Sequence, residues 1–150
     1  MSIPLLRRPK QVEKNVEKNN NTISIETEDY MILTLKNGKK LVVSSDSYHG
    51  IITCSNIYKC VICNDEFNLA KVDKENHKRS HNHKQLMILY PHKEDFAENL
   101  IRQIESDICY CTICNVVVPT RTLMRHLSAE GHIAELKKAK LRSFTYQPLE

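Results

Sequence analysis

Two sets of cysteines and histidines recur along the chain with nearly the same spacing. Cys60-Val-Ile-Cys63 is followed by thirteen residues, His77, five more residues and His83. Cys111-Thr-Ile-Cys114 is followed by eleven residues, His126, five more and His132. A two-residue gap lets both thiolates of a tight knuckle face one ion, and a helix presenting two imidazoles completes a tetrahedron with bonds of about 2.0–2.3 Å. Donor sets of this type select zinc, and four protein ligands leave no coordination position for a reacting water. Two structural zinc ions are therefore expected, one on Cys60, Cys63, His77 and His83, the other on Cys111, Cys114, His126 and His132. No phosphate loop, nucleophile–base pair, H-x-E…C-x-x-C or H-E-x-x-H pattern accompanies them, so neither an enzyme nor a small-molecule substrate is expected.

The histidine gap makes a demand on the backbone. Six positions at 100° each place the two side chains about 240° apart, so a regular helix cannot aim both at one ion. A bend near the second histidine is expected, at Gly131 in the second set and at Asn82 in the first, both residue types that accept left-handed backbone. His81 would restore a three-residue gap and stands as the alternative to His83. Phe67 and Val118, each four positions after a second cysteine, should pack beneath the ions. Their expected helix partners are Leu123 in the second set and Leu69 or Val72 in the first, with Asn68 and Thr120 as helix N-caps. Cys54 and Cys109 lie outside both sets and read as small, partly buried residues.

The elements that must hold these sets in place are short. Residues 1–21, with five Lys/Arg against two acids, read as a disordered basic arm. Residues 22–54 form a β-hairpin region around Asn37-Gly38, where a two-residue turn pairs Leu35 with Lys40 and Leu33 with Val42. Apolar side chains then fall on both faces of the ribbon, which must pack on something or serve as a docking element. Zinc finger 1 spans 55–90. Pro91 opens a connector, 91–106, whose first-turn acids and Phe96, Leu100 and Ile104 at helical spacing read as an amphipathic helix. Zinc finger 2 spans 107–142, its helix running on into the basic KKAKLR segment, and 143–150 is a tail. The expected fold is a small, metal-stabilised α+β chain: an N-terminal β-hairpin, then two ββα-like zinc fingers separated by a helical connector. A charged fraction of 27%, 6% aromatics and no tryptophan leave too little apolar surface for one large core, which is where a metal staple helps.

The six cysteines have no apolar leader before them and no stretch long enough to span a membrane. A reducing compartment is expected, nuclear or otherwise cytoplasmic and not secreted, where clustered cysteines bind metal. The Cys-x-x-Cys pairs, the five-residue histidine gap and the basic segment after His132 together resemble the matrin-type zinc fingers of splicing and double-stranded-RNA-binding proteins. The resemblance covers about 25 residues per finger and departs from the family's common twelve-residue spacing between second cysteine and first histidine. It implies zinc ligation and a nucleic-acid partner, RNA or DNA.

The net charge is only +4, but the basic excess falls on the arm and both finger regions. Lys71, Lys74, Lys78, Arg79 and Lys84 lie on or beside the first finger's helix. Arg121, Arg125, Lys137, Lys138 and Lys140 do so in the second. Such side chains would bind phosphates, and a 27-residue connector excludes the short-linker array that tracks successive base triplets. Shape-directed binding is therefore expected. The alternative is a protein-interaction adaptor that docks through residues 30–44 and 92–106.

Overall fold

The computed structural model describes residues 17–18, 22–27 and 29–145. Most of the arm, including its expected disorder, and residues 146–150 of the tail lie outside them. Four strands open the described chain: β1 (Glu17–Lys18), β2 (Thr22–Glu26), β3 (Tyr30–Leu35) and β4 (Lys40–Ser44), antiparallel in the order β1-β2-β3-β4. The hairpin at Asn37-Gly38 thus belongs to a larger sheet, and its register differs by one residue from a two-residue turn. Leu33 pairs with Leu41 and Thr34 with Lys40. Gly38 N donates to Leu35 O at 2.9 Å and Leu35 N donates to Lys39 O at 2.8 Å, so the loop is Lys36-Asn37-Gly38. Gly38 sits at φ +88°, the left-handed bulge that closes a three-residue hairpin loop.

That register sets the faces. Met31 opposes Val43 and Leu33 opposes Leu41, and all four enter the main core. Ile32 and Val42, paired on the opposite face, are buried too. The two-faced ribbon read from the sequence is therefore core, and residues 31–33 and 41–43 are not available as a docking surface.

A single turn, α1 (Ser45–Tyr48), capped by Ser44, leads into the first metal-binding unit. This unit holds β5 (Ile51–Cys54), β6 (Ile57–Cys60), β7 (Asp65–Asn68), α2 (Lys71–Arg79) and α3 (His81–Leu89). The second unit repeats the pattern with β8 (Ile101–Glu105), β9 (Ile108–Cys111), β10 (Val116–Pro119), α4 (Leu123–Ser128) and α5 (Glu130–Thr145). Each unit is a three-stranded antiparallel sheet followed by two helices, not a ββα finger. The boundaries move accordingly: the units begin at Ile51 and Ile101, ahead of the expected 55 and 107.

The connector helix expected over 91–106 does not form. A 3₁₀ turn, Glu94–Asn99, is broken by positive φ at Ala97 (+43°) and Leu100 (+52°), and the chain then enters β8. Leu100 and Ile101 are both fully buried, and β8 gains its ladder with β9, so sheet pairing and burial outweigh a local helical spacing. Ile104 is left outside the ladder at a register shift between Gln103 and Glu105.

The two units are packed together. Arg102, 2% exposed, donates from Nη1 to Tyr90 O at 2.7 Å and from Nη2 to Tyr48 O at 2.8 Å, with its guanidinium 5.0 Å from the Tyr48 ring centre. Tyr110 Oη donates to Ser47 O at 3.0 Å, and Asn115 Nδ2 donates to Ile51 O at 3.3 Å. Helix α5 reaches back over β4: Ala139 and Leu136 join the core of the N-terminal sheet, and Arg142 Nη1 donates to Val42 O at 2.6 Å. One core thus includes the sheet, the first unit and the end of the second unit's helix, while a smaller one gathers Ile101, Cys109, Val118 and Leu123 under the second centre.

Candidate metal centres

Each cysteine pair sits on a knuckle between two paired strands. Cys60 ends β6 and Cys63 follows after Val61-Ile62; Cys111 ends β9 and Cys114 follows after Thr112-Ile113. The turn is closed by an asparagine in the left-handed region, Asn64 at φ +59° and Asn115 at φ +57°. Their amides donate to Cys60 O at 2.8 Å and to Cys111 O at 2.7 Å. The sequence carries this signal as a repeated C-x-I-C-N, which the spacing argument passed over. Asparagine is among the few residues that accept such a φ without glycine. Gly50 lets the α1–β5 loop lie across the first knuckle. It has φ +73°, its carbonyl accepts from Val61 N at 2.9 Å, and an added Cβ would come 3.0 Å from Ile62.

The histidines arrive from two helices in each unit. His77 lies in the last turn of α2 and His83 in the first turn of α3; His126 and His132 are placed in the same way on α4 and α5. The chain turns at Ser80 (φ −66°, ψ 148°) and at Ala129 (φ −74°, ψ 147°), each three residues after the first histidine. The bend is therefore not at Asn82 or Gly131, which both lie inside helices. An extended residue with negative φ makes the same corner, and this needs no left-handed residue. Ser80 also caps α3: its Oγ accepts from His83 N at 3.2 Å and donates to His77 O at 2.8 Å. The expected caps at Asn68 and Thr120 are displaced, since α2 starts after Ala70 and Thr120 opens a 3₁₀ turn before α4.

The four ligand atoms of each set lie within 4.8 Å of one another. His83 Nδ1 is 3.6 Å from Cys60 Sγ and 3.3 Å from Cys63 Sγ. His132 Nδ1 is 3.5 Å from both Cys111 Sγ and Cys114 Sγ. A tetrahedral ion with sulfur at about 2.3 Å and nitrogen at about 2.05 Å sets such edges at about 3.6 Å. His77 Nε2 and His126 Nε2 are buried and have no hydrogen-bond partner, as expected of atoms aimed at a cation. The imidazole pairs also match, with ring centres 4.7 Å apart at 60° in the first set and 4.9 Å apart at 63° in the second. His81 is exposed whereas His83 is fully buried, so His83 completes the first set.

Burial drives all eight donors toward neutrality when no ion is bound. It raises the thiols of Cys60 and Cys111, and together with the neighbouring cysteine it pushes Cys63 and Cys114 to about 12. It lowers His77, His126 and His132, and burial with the charge of His49 takes His83 to about 3. Such sites release protons when a cation enters. Both groups can hold a metal ion, and every donor of each comes from the protein.

The packing under the centres follows the sequence in the second unit, where Val118 and Leu123 are buried together. In the first, Phe67 stacks on His77 with ring centres 4.7 Å apart. Leu69 and Val72 are 47% and 63% exposed and do not partner it; Leu86 and Met87 of α3 join the core there instead. Cys109 is fully buried, its thiol donating to Gln103 Oε1 at 3.5 Å, and Cys54 is half-buried, so neither joins a centre.

The basic side chains divide into two groups. Lys78 is 5% exposed and donates to Ser45 Oγ at 2.9 Å while pairing with Asp46 at 2.9 Å and Glu75 at 3.3 Å. Lys74 pairs with Asp46 at 2.9 Å and lies 4.8 Å from the Tyr58 ring centre. These two lysines tie α2 to α1, and Asp46, raised by burial, is carried below its ordinary value by both. Lys140 pairs with Glu98 at 3.2 Å, beside Lys39 at 3.3 Å, and Lys138 pairs with Glu135 at 3.3 Å within α5. Lys71, Arg79, Lys84, Arg121, Arg125, Lys137 and Lys138 are exposed.

Among the described residues no helix is long and apolar enough to cross a membrane. In comparisons with known proteins, the chain matches no family model, no curated protein and no solved structure.

Proposed function

We propose that the chain is a zinc protein with two structural ions, whose fused pair of centres presents basic helices to the phosphate backbone of a nucleic acid. The zinc reading rests on the donor chemistry: two thiolates and two imidazoles in a closed tetrahedral set are the signature of structural zinc. The observation that carries the nucleic-acid reading is that Arg79, Lys84, Arg125, Lys137 and Lys138 remain exposed on the helices of both units, and Arg121 on the turn before α4. Lys74 and Lys78 leave the expected contact set, because their ammonium groups are already paired inside the protein. Phosphate contacts of this kind position a protein on a duplex without reading bases, which fits duplex RNA or DNA recognised by shape.

The test is affinity against salt for the zinc-loaded chain. Binding to duplex RNA or DNA should weaken steeply, with a slope near the number of phosphates neutralised. Arg121→Glu with Arg125→Glu should weaken it further, while Lys74→Gln should act only through stability. Absence of binding at low salt rejects the reading.

The adaptor alternative keeps one favourable observation after residues 31–33, 41–43 and 100–102, within its expected docking segments, turn out to be buried. Ile133, Leu141 and Phe144 are 52%, 54% and 75% exposed on α5, and their spacing places them along one side of that helix.

A further inference from the structure

We propose that His49 is a positioning residue for the first metal centre, holding the ligand imidazole of His83 and tying it through Glu26 to the N-terminal sheet. The proposal rests on the reading of Cys60, Cys63, His77 and His83 as a metal site. With Nδ1 of His83 turned toward the two thiols, its Nε2 points away from them. There it lies 2.9 Å from His49 Nδ1, and His49 Nε2 lies 3.3 Å from Glu26 Oε2. The same carboxylate oxygen accepts from Ser45 Oγ at 3.1 Å. Both rings are buried, His83 fully and His49 to 6% exposure, and their centres are 5.0 Å apart.

The hydrogen bonds of this chain run in one direction when an ion sits on Nδ1. His83 then carries its hydrogen on Nε2 and donates to His49 Nδ1; His49 carries its hydrogen on Nε2 and donates to the carboxylate. Outer partners that fix a ligand's tautomer and orientation contribute about 10–100-fold in metal affinity. The second centre is built differently: His132 Nε2 meets Asn99 Oδ1 at 2.7 Å, a neutral amide whose Nδ2 donates to Phe96 O at 3.1 Å. Glu26 closes β2 and His49 follows α1, so the partners of His83 come from outside its own three-stranded sheet and helices. Metal at the first centre and docking of the N-terminal sheet therefore stabilise one another.

The test uses the full chain loaded with cadmium, which gives a separate NMR signal for each centre, competed against a chelator. His49→Ala should release the first-centre ion at about 10–100-fold lower chelator, with the second centre unchanged. Asn99→Ala should do the reverse. Glu26→Gln keeps the shape and should cause a smaller loss confined to the first centre, which covers the case of a His49 variant that fails to fold. Proton–nitrogen correlation spectra should place the His83 hydrogen on Nε2 in the parent chain and show that resonance shifted in Glu26→Gln. Equal losses at both centres, an unchanged first centre in both variants, or a His83 hydrogen on Nδ1 would overturn the proposal. A parent chain that takes up no cadmium would overturn the metal reading beneath it, and that failure is visible before any variant is made.

Discussion

Of the described residues with left-handed backbone, Gly50, Asn64 and Asn115 sit against a metal knuckle. Gly50 combines φ +73° with a tight approach to Ile62, whose side chain an added Cβ would meet at 3.0 Å. Gly50→Ala should cost about 2 kcal/mol, the left-handed penalty plus displacement of Ile62, measured by denaturation of the metal-loaded chain. Asn64 and Asn115 share a backbone geometry but not an environment. Asn64 is exposed, whereas Asn115 donates to Ile51 O and accepts from Tyr110 Oη. Replacement by alanine should therefore cost about 1 kcal/mol at Asn64 and about twice that at Asn115, where Ile51 O loses its donor while Tyr110 Oη keeps Ser47 O. Equal costs at the two sites would show that the contacts made by Asn115 carry no stability.

At the scale of elements, the two helix pairs turn the same corner with unequal support. Ser80 caps its helix through its hydroxyl, and Ala129 has none to offer. Ala129→Ser should add about 1 kcal/mol, and Ser80→Ala should remove about as much, by thermal melts of the metal-loaded chain. Gly131→Ala should gain about 0.5 kcal/mol, because Gly131 lies inside α5 with nothing within 4 Å of an added Cβ. A loss at Gly131 would restore it as the bend that the histidine gap suggested. That contrast shows what was legible. The ligand sets, Val118 with Leu123 and the run of α5 into the basic segment follow from residue type and spacing, because metal geometry and helical period are local rules. The strands β5 and β8 were not legible, since Ile51 and Ile101 gain their order from ladders with Cys60 and Cys111 rather than from their neighbours in sequence. Leu100 and Ile104 fitted a helix by coincidence, and only the buried ladder decides between the two. The hairpin register turned on one loop residue, which Asn37-Gly38 alone does not specify.

Across the whole molecule, the two centres are joined by polar contacts buried between them. Arg102 is the hub: a buried guanidinium whose partners are the carbonyls of Tyr48 and Tyr90. Arg102→Met should cost about 3 kcal/mol, by removing the donors that reach the carbonyls of Tyr48 and Tyr90, and should loosen both centres together. Independent loss, read from metal release at each centre, would mean the units act as separate beads. Metal uptake should be steeper at higher pH. The thiols of Cys63 and Cys114 are held up to about 12 without an ion, so entry of the ion must expel their protons, and affinity falls as pH drops. Calorimetry in buffers of different ionisation heat counts the protons released.

The contact from Asn115 to Ile51, with Tyr110 on Ser47, fixes more than stability. It ties the second knuckle to α1 and β5 of the first half, so the pair would work as a caliper. A tethered pair of modules finds its second contact at an effective concentration set by linker length, whereas a rigid pair either fits or does not. On the proposed nucleic-acid reading, affinity for duplexes of increasing length should then rise in one step, at the length that first spans both units.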